Sequence, residues 1–437
     1  MNGISDQTLR EVLRAIYELR TTGRAQLTQA TGLSAGMISQ AVQLLLRSGM
    51  VLKVGELESK GGRRREVLTL NPEAVYFIGV DFAGHCVRFA LASFGGDLRY
   101  RWGEEFEADG SLDIHRLFSG IERVASSLNP QQRSRLQAVG VIYPGLMDQQ
   151  GRLTSGNLGW RQFPLVAELD KVKDARGFEW LPIFLEQEVQ SAVRAEQWLG
   201  RAQKHRNAIH ISCDRGIGAG ILVDGKVVEG WRNMAGELGH VTIDPEADDL
   251  CTCGKRGCLE AIATSKNIVR QYLEKIGERD SASAKIRFAE VVERARRGET
   301  PAMEVVRRVC QAWGLALSHM VNLLNPEIII LGGDLVGVED LFVPLIREEL
   351  LRHCLPERVE GLGIAVSTLG LDLRLKAAAS LAFRKCLADP HLLKKMCTPV
   401  LMSHEPAATI KNNPADLPKI VTVAGPSPKA AMFSRTR

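Results

Sequence analysis

The chain has 437 residues, 45% of them hydrophobic, and a formal net charge of +5, which is enough for two or three domains with sizeable cores. No run approaches the roughly 18 consecutive apolar residues of a membrane helix, and the polar start MNGISDQTLREV is unlike a secretory signal, so a cytoplasmic protein without a membrane span is expected. The charge is uneven. Residues 1–71 carry ten Lys+Arg against six Asp+Glu, residues 391–437 carry seven against two, and the middle is mildly acidic. A basic head on such a body suggests a nucleic-acid-binding module joined to a small-molecule domain. Nine cysteines, an odd number scattered from Cys86 to Cys397, do not resemble the paired framework of a secreted domain.

In chain order, TLREVLRAIYEL (8–19) places Leu9, Val12, Leu13, Ile16 and Leu19 on one helical face. RAQLTQAT (24–31) reads as a second, short helix stopped by Gly32. Ser34 sits where an N-cap belongs, and Ile38, Val42 and Leu45 mark the buried side of a third helix ending at Gly49. VLKVGEL and REVLTL then flank the tip ESKGGRRR, a hairpin with arginines at its turn. Helices followed by a basic hairpin make a winged helix-turn-helix over residues 1–71. Its third helix would present Ser34, Ser39, Gln40 and Gln43 to the major groove of an operator, the two glutamines suiting adenine edges, while Arg63, Arg64 and Arg65 neutralise phosphates or probe the minor groove.

From Pro72 the pattern changes to strands alternating with helices. Apolar, β-branched runs at 76–82, 87–93, 136–145, 208–213, 218–225 and 327–333 are separated by amphipathic stretches near 112–127, 189–200, 258–275, 301–323 and 372–387. This predicts an α/β body over residues 72–389 with two lobes, and two glycine-rich strand turns suggest an internal duplication. Residues 390–437, rich in Pro, Ala, Asn and Ser, are expected to form a disordered tail.

CTCGKRGC (251–258) puts three cysteines in eight residues, and His240 lies eleven residues upstream. Such a cluster could hold a metal, form a disulfide or simply be buried. Three thiolates and one imidazole complete the tetrahedral set of a structural zinc site, and the glycines at the turns let Cys251, Cys253 and Cys258 face one ion. Lys255 and Arg256 would offset its negative charge. A structural Zn2+ is therefore expected on His240, Cys251, Cys253 and Cys258.

AGELGH followed by CTCGKRGCLE resembles the zinc signature of the ROK family, which groups sugar-responsive repressors, open reading frames and sugar kinases. The longer stretch GIGAGILVDGKVVEGWRNMAGELGH (216–240) is similar to its signature segment, and the GGRR wing followed by Leu70, Asn71 and Pro72 resembles its repressor branch. The resemblance spans about residues 8–387. It implies an actin-like, hexokinase-type ATPase fold with a sugar or sugar phosphate in the cleft between the lobes. It further implies sugar contacts at the Pro144–Gly145 turn and at Asn157, Gln187, Glu188, Glu237, His240 and Glu260. It also implies a homodimer or homotetramer on a pseudo-palindromic double-stranded DNA operator.

Two positions depart from the kinases of that family. Their DxGGT-type phosphate loop here reads Asp81, Phe82, Ala83, Gly84 and His85, and their Asn-Asp pair, whose Asp is the general base, here reads Gln187 and Glu188. A base one methylene longer is displaced from the roughly 3 Å reach that proton transfer requires. Gly216, Gly218, Gly220, Gly332 and Gly333 keep the glycines of the remaining phosphate turns. The body is therefore expected to be a sugar sensor with a degenerate nucleotide site and no catalytic residue, the alternative being an active ATP-dependent sugar kinase with an added DNA-binding head.

Overall fold

In the computed structural model, residues 4–57, 65–82, 86–105, 114–214, 216–278 and 286–398 are described. The head opens with helix α1 (Asp6–Leu19), strand β1 (Thr21–Thr22), α2 (Arg24–Thr31) and α3 (Ala35–Arg47), followed by the hairpin strands β2 (Val51–Leu57) and β3 (Arg65–Leu70). Ser5 and Ser34 cap α1 and α3, their hydroxyls accepting the N–H groups of Thr8 (3.1 Å) and Met37 (3.3 Å). Between α2 and α3 the chain reverses at Gly32, whose φ of 70° a side chain would resist. The sheet order β1-β3-β2 completes a winged helix-turn-helix. Arg63 and Arg64 lie outside the described residues, as does the side chain of Arg65.

The first lobe comprises β4 (Tyr76–Asp81), β5 (Cys86–Ser93), β6 (Leu98–Glu105), α4 (Ile114–Ser126), α5 (Pro130–Arg133), β7 (Leu136–Tyr143), β8 (Leu146–Met147), β9 (Leu153–Ser155), β10 (Trp160–Phe163), α6 (Leu165–Ala175) and β11 (Ile183–Gln187). Helix α7 (Glu188–Leu199) leads to the second lobe: β12 (Ala208–Cys213), β13 (Ile217–Val223), β14 (Lys226–Val227), α8 (Leu259–Ala263), α9 (Ser265–Lys275), α10 (Phe288–Arg296), α11 (Thr300–Leu324), β15 (Ile328–Gly333), α12 (Glu339–His353), α13 (Pro356–Glu360) and β16 (Gly363–Val366). The chain then returns through α14 (Leu373–Ala388) and ends in α15 (Pro390–Cys397).

The duplication read from the glycine turns is explicit in the sheets. The first runs β11-β7-β4-β5-β6 and the second β14-β13-β12-β15-β16. Each combines an antiparallel three-strand meander with two further strands added in parallel. β4, β7 and β12 are buried along their whole length, which explains their continuous apolar runs. Helix α14 lies directly on the first sheet because Gly79 and Gly140 have no side chains. A Cβ there would fall 2.6 Å from the Leu375 carbonyl oxygen and 1.9 Å from that of Ala378.

Two features correct the expected domain division. The tail does not become irregular at residue 390: Asp389 caps α15, and Leu393, Met396 and Cys397 are buried. Residues 399–437 lie outside the described residues. The head also shares one core with the body, in which Leu9, Val12 and Ile16 join Phe77, Phe94, Trp198, Phe383 and Met396. The Tyr17 ring lies 5.0 Å from that of Trp198 and 4.7 Å from that of Phe383, and burial pushes its hydroxyl pKa up to about 12. Arg10 and Arg20 donate to the carbonyls of Ala388 (2.8 Å) and Gly95 (2.7 Å).

Candidate functional site

The loop between β14 and α8 carries the cysteine cluster. Cys251 N–H donates to Lys255 O (2.8 Å) and Gly254 N–H to Cys251 O (2.9 Å). Gly254 and Gly257 adopt φ of 86° and 67°, and a Cβ on Gly257 would lie 1.7 Å from the Asp244 carbonyl oxygen. These turns fold the loop back on itself, bringing the ligand atoms of His240, Cys251, Cys253 and Cys258 within 4.8 Å of one another. The Cys253 and Cys258 sulfurs are 3.8 Å apart, and Cys251 Sγ is 3.5 Å from His240 Nδ1. A tetrahedral ion with bonds of about 2.3 Å to sulfur and 2.0–2.1 Å to nitrogen implies edges of about 3.8 and 3.6 Å. The four residues could hold a metal ion, and the donor set fits one of that size.

The same loop connects to the carboxylates expected to bind sugar. His240 turns Nδ1 to the cysteines and Nε2 toward Glu237 Oε2, 3.9 Å away, so one ring can serve both groups. Glu260 Oε2 accepts the Ile217 N–H (3.1 Å) and its Oε1 accepts the Thr252 hydroxyl (2.8 Å). Burial pushes Glu237 above the usual carboxylate range, opposed by His240 and reinforced by Glu260. Across the cleft, Pro144 is buried, and the Gly145 turn (φ 92°) packs so tightly that a Cβ would meet the Thr154 carbonyl oxygen at 2.4 Å. Trp231–Asn233, the turn leading into Glu237, packs against β8 just beyond Gly145. Asn157 lies in the 3-10 turn Gly156–Leu158; its side chain is outside the described residues.

Glu188 belongs to a different group. Arg374, at the start of α14, donates to Glu188 Oε1 (2.7 Å), Asp214 Oδ2 (2.6 Å) and Asp81 Oδ2 (3.2 Å). Arg88 Nε also donates to Asp81 (3.0 Å), and the Ser212 hydroxyl to Glu188 (3.2 Å). Burial raises the Glu188 pKa despite the pull of Arg374. For Arg374 burial acts in the lowering direction, but the carboxylates hold its pKa well above the ordinary value. The charges around Glu188 are Arg374, Asp214 and Asp81, whereas those around Glu237 are His240 and Glu260. Of the residues expected to contact sugar, Glu188 is thus the one paired within the Arg374 cluster. Gln187 is buried, and its Oε1 has no partner among the described residues.

The nucleotide-turn glycines also divide. A cavity of about 530 Å³ is lined by Arg88, Asp214, Gly332, Gly333, Asp334 and Arg374 among others. Gly216, Gly218 and Gly220 are not among the residues lining it. A Cβ on Gly216 would meet Glu260 Oε2 at 2.7 Å, one on Gly218 would meet Val189 at 2.6 Å, and one on Gly220 the Val189 carbonyl oxygen at 2.1 Å. They are glycines because a carboxylate and a helix press on them. Gly84 lies outside the described residues. In the head, Gln40 and Gln43 are exposed and Ser39 half-exposed on the outer side of α3, while the Ser34 hydroxyl is engaged as a cap.

Sequence reasoning missed Arg374, Asp214 and Thr252. Arg374 stands in LDLRLKAAAS, which reads as an ordinary core helix, and its partners are 160 to 293 residues away. No local signal marks it. Thr252, inside the cysteine motif, could have been singled out as a hydroxyl beside metal ligands.

A family model described as "ROK family" matches residues 77–372. The xylose repressor of Caldicellulosiruptor bescii is 27% identical over 372 residues, covering 82% of this chain and 90% of its own length. A glucokinase of Halalkalibacterium halodurans is 28% identical over 309 residues, covering 68% of this chain and 92% of its own. Among solved structures, a ROK family transcriptional regulator described as a homolog of the E. coli MLC protein superposes with a TM-score of 0.72 at 24% identity, covering 90% of this chain and all of that one.

Proposed function

Since the chain belongs to the ROK family, we propose that it is a DNA-binding transcriptional regulator, a repressor of sugar-metabolism genes, whose kinase-derived body binds a sugar without phosphorylating it. The observation that carries this reading is Arg374. Its guanidinium sits among Asp81, Glu188 and Asp214, so the carboxylate at the general-base position is neutralised by the protein itself. A carboxylate whose oxygen already accepts the guanidinium is engaged by the protein rather than free to reach a substrate hydroxyl. The match to a xylose repressor over 82% of the chain, against 68% for the glucokinase, supports the same assignment.

Effector binding falls to the Pro144–Gly145 turn, Asn157, Glu237, His240 and Glu260, where carboxylates and an imidazole suit adjacent sugar hydroxyls. Zn2+ on His240, Cys251, Cys253 and Cys258 would fix the loop that carries these groups. Gln40 and Gln43 with the wing arginines read the operator, and a homodimer or homotetramer supplies two heads for two half-sites. No helix among the described residues is long and apolar enough to cross a membrane. A sugar that binds closed and open lobes with different affinity shifts operator occupancy; a coupling of about 1–3 kcal/mol gives a change of roughly five- to 150-fold.

Genome-wide footprinting with and without a panel of pentoses, hexoses, amino sugars and their phosphates tests this reading. Discrete palindromic footprints that one sugar removes are expected. ATP-dependent turnover of any of these sugars, or the absence of footprints, would contradict it.

A further inference from the structure

We infer that helices α7 and α14 form the mechanical link between the cleft and the head, with the Arg374 ion cluster as the element that responds to the cleft. This rests on the functional reading above and names the route of its regulation. Each helix has one end in the cleft and the other beneath the head. α7 begins at Glu188 and carries Trp198; α14 begins beside Arg374 and carries Phe383. At 1.5 Å per residue, each pair is about 14–15 Å apart along its helix.

At the cleft end the helices are joined directly, Arg374 donating to Glu188 at 2.7 Å. At the head end the Tyr17 ring of α1 rests on both, 5.0 Å from Trp198 and 4.7 Å from Phe383. Between these ends Ala192 and Ala195 of α7 and Ala377 and Ala378 of α14 share one buried cluster with Ile142 of β7. Glu186 of β11 pairs with Arg194 of α7 (3.1 Å) and, next to Phe383, with Arg384 of α14 (2.8 Å). Burial opposes its ionisation, yet the two arginines hold its carboxyl below the usual range.

The helices pack chiefly on different lobes. Gly79 and Gly140 let α14 lie on β4 and β7 of the first sheet, and Gly218 and Gly220 let α7 lie on β13 of the second. A change in the angle between the lobes must therefore appear as a displacement of α7 along α14. An alanine seam has few interlocking knobs, which leaves the Glu186 ion pairs and the Arg374–Glu188 contact as the ties such a shear strains. Tyr17 touches both helices and cannot keep both contacts unchanged when they slide. The head is thereby sensitive to the cleft without touching it, and Arg374, Tyr17, Trp198 and Phe383 are positioning residues.

Amide hydrogen exchange on the full chain tests this without DNA or effector. Arg374→Lys keeps the charge but loses the guanidinium fork. Asp214→Asn removes only the arm whose side chain is 34% exposed, so it leaves a folded variant if the first is too unstable. Val309→Ala, at a fully buried site on α11, serves as a control for general loss of stability. Exchange in α1 and α15 at least threefold faster in both cluster variants, and unchanged in the control, is expected. Unchanged α1 and α15 with altered cleft amides, or equal acceleration in the control, would overturn the link. Failure of the DNA-binding reading would show separately, as wild-type protein that leaves no footprint.

Discussion

Replacing Arg374 with methionine keeps the aliphatic stem and removes the charge shared by Asp81, Glu188 and Asp214. The three carboxylates do not suffer equally. Asp81 is 2% exposed but keeps Arg88, while Asp214 is 34% exposed and can be hydrated. Glu188, 16% exposed, retains the Ser212 hydroxyl and loses its ion pair, so it dominates the cost. Removing one partner of a buried pair typically costs about 3–5 kcal/mol. Protonation of Glu188 offers partial relief, and that makes the cost depend on pH. Burial already holds the Glu188 pKa above the usual carboxylate range in the folded state, and without Arg374 it rises further. For a carboxyl raised on folding, both states are protonated below the unfolded value and no penalty exists. The penalty grows as pH rises through the interval and is complete above the folded value. Urea melts should therefore show a small loss for Arg374→Met near pH 4.5 and a loss of about 3 kcal/mol at pH 8. Adding Glu188→Gln should recover most of it at pH 8. A loss that is equal at both pH values, or below about 1 kcal/mol at pH 8, would show that the cluster is effectively solvated and refute the argument.

Three further outcomes are expected. Cys253→Ser should lower zinc from one ion per chain to none by elemental analysis and weaken sugar binding by about tenfold or more, the scale seen when a metal-site residue is lost; full zinc content in the variant would reject the ligand assignment. Gly140→Ala, whose Cβ would lie 1.9 Å from the Ala378 carbonyl oxygen, must lift α14 from the first sheet and should destabilise by about 1–3 kcal/mol or more; an unchanged denaturation midpoint would contradict the packing described. Arg64→Ala should weaken binding to all DNA sequences alike and reduce the salt slope by about 1, whereas an unchanged slope would remove the wing from the interface.

The parts of the fold and site that were legible in the sequence are those whose signal is local. The helices of the head, the cap at Ser34, the wing strands and the buried strands β4, β7 and β12 announce themselves through periodicity and turn residues within a few positions. The cysteine–histidine cluster is equally local, since Cys251, Cys253 and Cys258 lie on one turn and His240 eleven residues before it. Where a local pattern admits two readings, the deciding contacts are long-range. Gly216, Gly218 and Gly220 look like a phosphate turn because both phosphates and close-packed helices demand glycine. Residues 390–397, PHLLKKMC, contain none of the Ala, Asn and Ser of the stretch that follows, and their Leu393 and Met396 find a core supplied by α1 and α14.

The sequence by itself determined the winged head, the duplicated α/β body, the cysteine set and the family, because each is written in the spacing of neighbouring residues. The tertiary structure alone decided that Glu188 is neutralised by an arginine 186 residues away, that head and body share one core, and that two helices run from the cleft to the head. Those facts depend on which surfaces meet after the sheets have formed, and charge pairing and packing between segments so far apart leave no periodic trace along the chain.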